Sequence, residues 1–438
     1  MKPRLPSNLP QEDLFRMRLD RMLDAKHPLY KLSRQIDWAF FEKEFGADFS
    51  DQGRPALSTR LMVGLSYLKY LYDVSDEDAV SLFVENPYWQ FFCGLEYFSH
   101  EFPCDPSSQT RWRKRMGPEK LEKLISETLR LAKENGALRV SQLKRVIADT
   151  TVQEKNIEFP IDARLYHRAR ERLVTEAEKL GVELRQSYRR LAKETLHRYS
   201  RYAHAKQFKR AKRAQKKLRT WLGRVIRDVE RKLPERDQKM HEILNIARRI
   251  HEQKRGDSNK IYSVHAPEVE CISKGKAHKR YEFGCKVGLV ATVRGNWILG
   301  SQAFHGNQYD GKTLAPALAQ AERITGVEIE YAFLDKGYRG SDHHPEGVSC
   351  FISGKKRLLP YLKRLLKRRS AIEPLIGHTK SGHRLGRNYL KGEIGDQTNP
   401  ILAGAALNLK KLVGLLLFCL QIFAQNKSRS RISIPATA

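Results

Sequence analysis

The spacing of apolar positions changes along the chain, and each change marks a different kind of element. Up to about residue 130 the spacing is helical. Leu57–Tyr72 reads as one helix, and Ser75 as the N-cap of the next, with Asp78 completing a capping-box pattern. Asn86 and Pro87 end that second helix. A further start signal at Pro106, Ser107 and Ser108 leads into Gln109-Thr110-Arg111-Trp112-Arg113-Lys114-Arg115, a short helix that is basic and polar on its early turns. Such a helix suits a DNA major groove, and a solvated basic surface helix carries the same composition.

Leu143–Val152 reads as a strand around Val146, Ile147 and Ala148, with Asp149 at its end. From about 162 to 256 strand signals vanish. Tyr166, Ala169, Leu173, Ala177, Leu180, Leu184, Tyr188 and Leu191 predict one long amphipathic helix. A second series, Leu218, Leu222, Val225, Val229 and Leu233, ends at Pro234, and a third runs through Met240, Ile243, Ala247 and Ile250, so a helical hairpin or small bundle is expected. After Ser258 the period becomes two: Tyr281, Phe283, Cys285, Val287, Leu289, Ala291 and Val293 predict a long half-buried strand, Gly295-Asn296 a turn, and Trp297–Phe304 a second strand. Thr313–Arg323 reads as a helix, Val327–Leu334 and Val348–Ser353 as strands, and the chain beyond Lys355 as helical. That order describes an α/β fold, a mixed sheet with helices on its faces. The most apolar run, Leu412–Ala424, is too short to cross a bilayer and reads as a buried helix, and the N-terminus lacks the apolar core of a signal peptide, so no membrane association is expected.

Charge narrows the function. The 438 residues carry 81 Lys and Arg against 50 Asp and Glu, a net +31, while 40% are hydrophobic. The chain is therefore not disordered throughout, and its partner is expected to be a polyanion rather than a small neutral molecule. Residues 161–260 hold 30 basic and 13 acidic side chains, and Lys206–Arg219 alone holds eight basic residues and no acid. Lys209, Arg210, Lys216 and Lys217 in this run are candidate phosphate contacts, although a solvated face has the same look. Six cysteines without a CxxC pair indicate neither a disulfide framework nor a zinc finger, and a cytoplasmic, nucleoid-associated location is expected.

Three acids stand at element boundaries: Asp149 in Ile-Ala-Asp-Thr-Thr, Asp335 in Phe-Leu-Asp-Lys-Gly-Tyr-Arg-Gly, and Glu373 in Ile-Glu-Pro. Carboxylates are the hard ligands that Mg²⁺ or Mn²⁺ prefers, and two such ions can drive phosphodiester displacement. Each acid taken alone is equally an ion-pair partner in a basic chain. Arg369, four residues before Glu373, and Lys380, seven after it, are placed to hold phosphates on the same helix face, with Pro374 and Gly377 requiring a kink or a helix start there.

These residues carry a resemblance. Asp149, the DKGYRG box at Asp335 and Arg369-x3-Glu373-x6-Lys380 resemble the acidic triad and the Y-x2-R-x3-E-x6-K signature of DDE transposases of the insertion-sequence four and five superfamily, with Leu366 standing where the signature has tyrosine. Gly53-Arg54-Pro55 through Leu95 and Gln109–Arg113 resemble the N-terminal domain of the insertion-sequence five family. Tyr281–Gly284 with Gly306-Asn307 resemble its catalytic core. The resemblance implies an RNase H-like catalytic core (140–155 and 258–425) with a helical, helix-turn-helix-like N-terminal DNA-binding domain (1–135), a basic helical insertion after strand one (160–256) and a basic tail (426–438). It further implies two Mg²⁺ ions held by Asp149, Asp335 and Glu373, with Mn²⁺ as a substitute. Its other implications are double-stranded DNA, both element ends and target, held in part by Arg111, Arg113 and Lys114, a homodimer on paired ends, and 3′-OH strand transfer. A plain metal-dependent nuclease or an inactive DNA-binding relative would share most of these features.

One signal competes. Gly306–Thr313 satisfies GxxxxGK[ST] between a strand and a helix, as a phosphate-binding loop would, although Asp310 there also suits a helix cap. His265, His278, His305, His343 and His344 show no ligand spacing, and the last two read as loop residues able to approach DNA.

Overall fold

The computed structural model describes residues 17–49, 55–232, 237–273, 279–355 and 357–430. The N-terminal stretch, Gly53-Arg54, Leu233-Pro234, His278 and the tail beyond 430 lie outside these residues. The chain forms two compact units, one made of residues up to Gln153, Lys286–Phe304 and Gln308 onward, the other of Glu154–Cys285 and His305–Asn307.

The first unit begins with helices α1 (Leu19–Met22), α2 (Pro28–Gln35), α3 (Trp38–Gly46), α4 (Thr59–Leu71), α5 (Asp76–Glu85), α6 (Pro87–Phe92), α7 (Pro106–Glu134) and α8 (Val140–Leu143). Their starts are written in side chains that satisfy orphan amides. Ser75 accepts from the Asp78 amide while the Asp78 carboxylate accepts from that of Ser75, Asn86 caps α6 through Tyr88 and Trp89 with Pro87 at the first position, and Asp105 caps α7 through Ser107. Gly117, at φ 71°, breaks α7 ahead of Pro118, so the basic segment is the first arm of a longer, bent element.

β1 (Arg145–Lys155) runs on six residues past Asp149, so that acid sits inside the strand rather than at its end. In the second unit α9 (Asp162–Lys179), α10 (Arg189–His204), α11 (Phe208–Lys232) and α12 (Gln238–Glu252) pack around Leu173, Leu222, Val225, Val229, Ile243 and Ile250. The single long helix expected across 166–191 is two. Gly181, at φ 69°, stops α9 as the Val182 amide turns back to the Ala177 carbonyl, and Tyr188, at φ 53°, precedes α10. β2 (Glu270–Ser273) pairs antiparallel with the first residues of β3 (Tyr281–Thr292).

Back in the first unit, β3 and β4 (Ile298–Phe304) form a hairpin whose turn residues Gly295 and Asn296 both have positive φ, the geometry a tight turn between twisted strands requires. α13 (Asp310–Thr325) crosses to β5 (Tyr331–Leu334), which lies parallel to β1, and β6 (Ser349–Ile352) lies parallel to β5. The sheet here runs β4-β3-β1-β5-β6. Then come α14 (Pro360–Arg368), a 3₁₀ turn (Arg369–Ala371), α15 (Ile372–Gly382), the short β7 (Arg387–Asn388) and α16 (Gly392–Ser430). The fold is thus mixed α/β with a mixed sheet among many helices.

Gly392–Phe418 of α16 is long and apolar enough to cross a membrane by length and composition, more than Leu412–Ala424 alone conveyed. Just over half of this stretch is buried, with Leu402 and Leu409 in the core where α16 packs on α7, β4 and α4. Its end is not the buried helix expected: Leu412 is covered, but Leu415, Leu417 and Phe418 are exposed. A buried amide chain fixes these elements to the strand that carries Asp149. The Tyr70 hydroxyl donates to Asn399 at 2.8 Å, and the Asn399 amide to Gln153 at 2.7 Å.

Candidate active site

The parallel register of β1 and β5 pairs Arg145 with Tyr331, Val146 with Ala332 and Ile147 with Phe333. Two residues further along each chain stand Asp149 and Asp335. Asp149 lies inside β1 and Asp335 is the first residue past β5, its backbone still extended, so the alternation of strand side chains turns both carboxylates to the same face. Asp149 Oδ1 accepts the Thr150 amide at 2.7 Å. Asp335 caps the 3₁₀ turn Lys336–Tyr338, its Oδ1 accepting the Gly337 amide at 2.7 Å, and that turn carries Tyr338 inward until its ring is 2% exposed.

A third carboxylate joins them. Asp310 Oδ1 receives the Thr150 hydroxyl and the Lys286 ammonium, each at 2.9 Å. Lys286, nearly buried, also donates to the Gln308 carbonyl. Burial, followed by the charges of Asp149, Asp310 and Asp335, holds the Tyr338 phenol well above its ordinary pKa, while a bond with Thr313 acts the other way. The three aspartates therefore share one neighbourhood. Gly337 lies between two of them, where a Cβ would stand 3.0 Å from Asp335 Oδ1 and 3.3 Å from Asp310 Oδ2. Two hard oxygen donors, from Asp335 and Asp310, face the position a side chain at Gly337 would fill, the kind of donor that a Mg²⁺- or Mn²⁺-type ion takes while keeping several waters.

Glu373 is placed differently. It occupies the first turn of α15, its side chain 69% exposed, with Arg369 at 4.0 Å as a loose ion pair. Arg369 itself is largely covered. Pro374 causes no kink because α15 starts at Ile372, which puts the proline in the first turn, where its missing amide would have been unpaired anyway. Lys380, half-buried, lies two turns on.

Of the cations expected on α7, Arg111 and Lys114 are exposed, as is Arg115. Arg113 is not a surface contact. It is 3% exposed and forks onto Asp76 at 2.9 and 2.6 Å, where Lys69 adds a contact at 2.8 Å. Burial works against the Asp76 charge, but Arg113 and Lys69 outweigh it and hold its pKa low. On α11, Lys209, Arg210, Lys216 and Lys217 are all exposed, opposite the buried Leu218, Leu222, Val225 and Val229. None of the four is paired with a carboxylate among the described residues; Arg210 bonds Gln207 and lies over the Tyr202 ring.

The phosphate-loop pattern at Gly306–Thr313 is not built as one. The Gly306 and Asn307 amides already point at the Glu270 carboxylate, and α13 begins at Asp310, which puts Gly311, Lys312 and Thr313 inside the helix. Nor does Asp310 cap that helix: the N-cap is Tyr309, and the Asp310 carboxylate turns to Thr150 and Lys286 instead. Asp310 is thus the site residue that sequence reasoning missed, although its place at a helix start, a short loop after β4, resembles the element-boundary positions that drew attention to the other acids. His343 packs near Tyr309, with ring centroids 6.1 Å apart, and His344 bonds the Tyr338 carbonyl at 3.1 Å, so both border this site.

Comparison with known proteins adds the family. Residues 17–115, which include α4, α5 and the basic arm of α7, match the family described as a transposase domain (DUF772). A protein of Rhizobium meliloti, "Uncharacterized protein ORF8 in nfe locus", is 52% identical over 208 residues, which are 48% of this chain and all of that protein. The chain belongs to a transposase-related family. Its transposase domain thus contains the exposed Arg111 and Lys114 and the buried Arg113–Asp76 pair. No solved structure matches the chain.

Proposed function

We propose that this chain is a DDE-type DNA transposase of the insertion-sequence five kind, with an RNase H-like core. The observation that carries the reading is the placement of Asp149 inside β1 and of Asp335 immediately past the end of the adjacent parallel β5, in a chain of net charge +31 with a transposase domain. The strand order β4-β3-β1-β5-β6, with α13 between β4 and β5, supports the fold assignment.

In this reading Asp149, Asp335 and Glu373 hold two Mg²⁺ ions, or Mn²⁺ in their place. When bound, the ions activate the attacking water and stabilise the leaving oxygen of a phosphodiester. Arg369 and Lys380 hold phosphates beside Glu373. Arg111 and Lys114 on α7, with Lys209, Arg210, Lys216 and Lys217 on α11, neutralise the backbone of double-stranded DNA. Cutting at an element end frees a 3′-OH, which then attacks target DNA, and joining two ends in one event calls for a homodimer. The protein works in the cytoplasm, on the nucleoid.

The test is an incubation of purified protein with Mg²⁺ and a plasmid carrying its gene with the native flanking DNA. Wild type is expected to nick or linearise the plasmid, and Asp149→Asn to bind it without cutting. Cutting by Asp149→Asn at the wild-type rate would overturn the assignment.

A further inference from the structure

We infer that Asp310 is a further metal-binding carboxylate of this centre, acting with Asp149 and Asp335. The inference rests on the proposed reading of the centre as a divalent-cation site.

Three features of the structure point to it. First, the two oxygens of Asp310 have different surroundings. Oδ1 is pinned by the Thr150 hydroxyl and the Lys286 ammonium, each at 2.9 Å, while Oδ2 faces the space beside Gly337. A carboxylate fixed by one oxygen and open at the other is oriented before a cation arrives. Second, the residue facing it is glycine without a backbone reason. Gly337 is not among the glycines with positive φ, so any residue suits its conformation. What a side chain would do there is approach Asp335 Oδ1 and Asp310 Oδ2 to 3.0 and 3.3 Å, closing the gap between the two carboxylates. Third, Asp310 is tied to the strand of Asp149 through Thr150, whose hydroxyl bonds Asp310 while its amide bonds Asp149. One threonine thus sets two of the three carboxylates.

The competing account is a structural ion pair, in which Lys286 simply neutralises Asp310. The two accounts differ in what removal of the lysine does. If Asp310 binds metal, Lys286 repels the incoming cation, and its loss strengthens binding. If the pair is only structural, Lys286 acts on a cation held by Asp149 and Asp335 through its charge alone, so its loss tightens binding equally with and without Asp310→Asn. With Asp310 as a ligand the tightening is smaller once Asp310→Asn is in place.

The experiment is Mn²⁺ titration of the metal-stripped full-length chain, followed by the electron paramagnetic resonance signal of the free ion. It is run on wild type, on Asp149→Asn, Asp310→Asn, Gly337→Ala and Lys286→Met, and on the double variant of Lys286→Met with Asp310→Asn, with melting curves in EDTA to confirm folding. Asp310→Asn is expected to weaken Mn²⁺ binding about tenfold or more, and Lys286→Met to tighten it several-fold, roughly the effect of removing a neighbouring positive charge in a partly buried site. Gly337→Ala is expected to weaken binding with every carboxylate in place by crowding Asp335 and Asp310 alike, and Asp310→Glu, which keeps the charge but shifts its oxygens, takes the place of Asp310→Asn if that variant folds poorly. Equal tightening by Lys286→Met alone and in a double variant with Asp310→Asn, alongside loss in Asp149→Asn, would overturn the role of Asp310 and leave the metal centre standing. Absence of Mn²⁺ binding by wild type would overturn both.

Discussion

Asp149, inside β1, and Asp335, immediately past the end of β5, each stand two residues beyond the Ile147–Phe333 register pair of these parallel strands. The relationship depends on backbone pairing rather than on any bond between the two side chains. A one-residue slip of either strand would turn one carboxylate to the opposite face, so the buried Val146, Ile147, Ala332 and Phe333 that hold the register also hold the site.

Such a site should tolerate little change in reach. Asp149→Glu and Asp335→Glu each keep the charge but extend it by one methylene, a displacement of about 1 Å, which can cost on the order of 100-fold in rate. Initial nicking rates on a plasmid carrying the gene and its flanking DNA should fall by about that factor, with DNA retention in a gel shift unchanged. Equal rates for wild type and both glutamate variants would mean that the carboxylates do not position the reaction.

The basic arm of α7 divides into two kinds of arginine, and substitution should separate them. Arg113→Ala leaves Asp76 buried with Lys69 as its remaining partner, and breaking a buried, forked pair costs about 3–5 kcal/mol. Chemical denaturation should show that loss. Arg111→Ala with Lys114→Ala removes exposed charge only, so stability should hold within about 0.5 kcal/mol while DNA binding weakens. Destabilisation by the exposed pair rather than by Arg113 would contradict the packing.

Much of this architecture is legible along the chain because it is local. The alternation from Tyr281 to Val293 and the Gly295-Asn296 turn announce the β3–β4 hairpin, and Ser75 with Asp78 announces α5. What escapes is in one case local and otherwise non-local. The helical period of Leu173, Ala177, Leu180 and Leu184 continues through the break at Gly181, so the turn leaves no gap in the pattern. The burial of Arg113 depends on Asp76, 37 residues earlier. Asp310 reads as a helix start until Thr150, 160 residues away in sequence, and Lys286 are seen to fix it.

The exposed face of α11 makes a prediction about salt. A cation that contacts a DNA phosphate releases counterions, and each such contact contributes about 0.9 to the slope of log affinity against log salt concentration. Replacing Lys209, Arg210, Lys216 and Lys217 together by alanine should reduce that slope by up to roughly 3 to 4 while the helix content stays unchanged. Fluorescence anisotropy on a labelled duplex between low and moderate salt measures it. An unchanged slope would place the DNA elsewhere.

Lys69 predicts how stability follows pH. Burial and the nearby Arg113 charge push its pKa down to about 8, from an ordinary value of 10.5, against the pull of Asp76. Between these values the folded chain binds fewer protons at this site than the unfolded chain does, so this contribution makes stability rise with pH, and it is lost as pH falls through about 8. The full effect is on the order of 3 kcal/mol, since a tenfold change in proton affinity corresponds to about 1.4 kcal/mol. Lys69→Met removes the titrating group and leaves Asp76 paired with Arg113. Denaturation of both proteins at pH 7.5 and pH 10 should show wild type gaining stability relative to Lys69→Met on going to the higher pH, with the other groups cancelling in the comparison. A difference between the two proteins that does not move with pH would mean that Lys69 keeps its ordinary pKa in the folded chain.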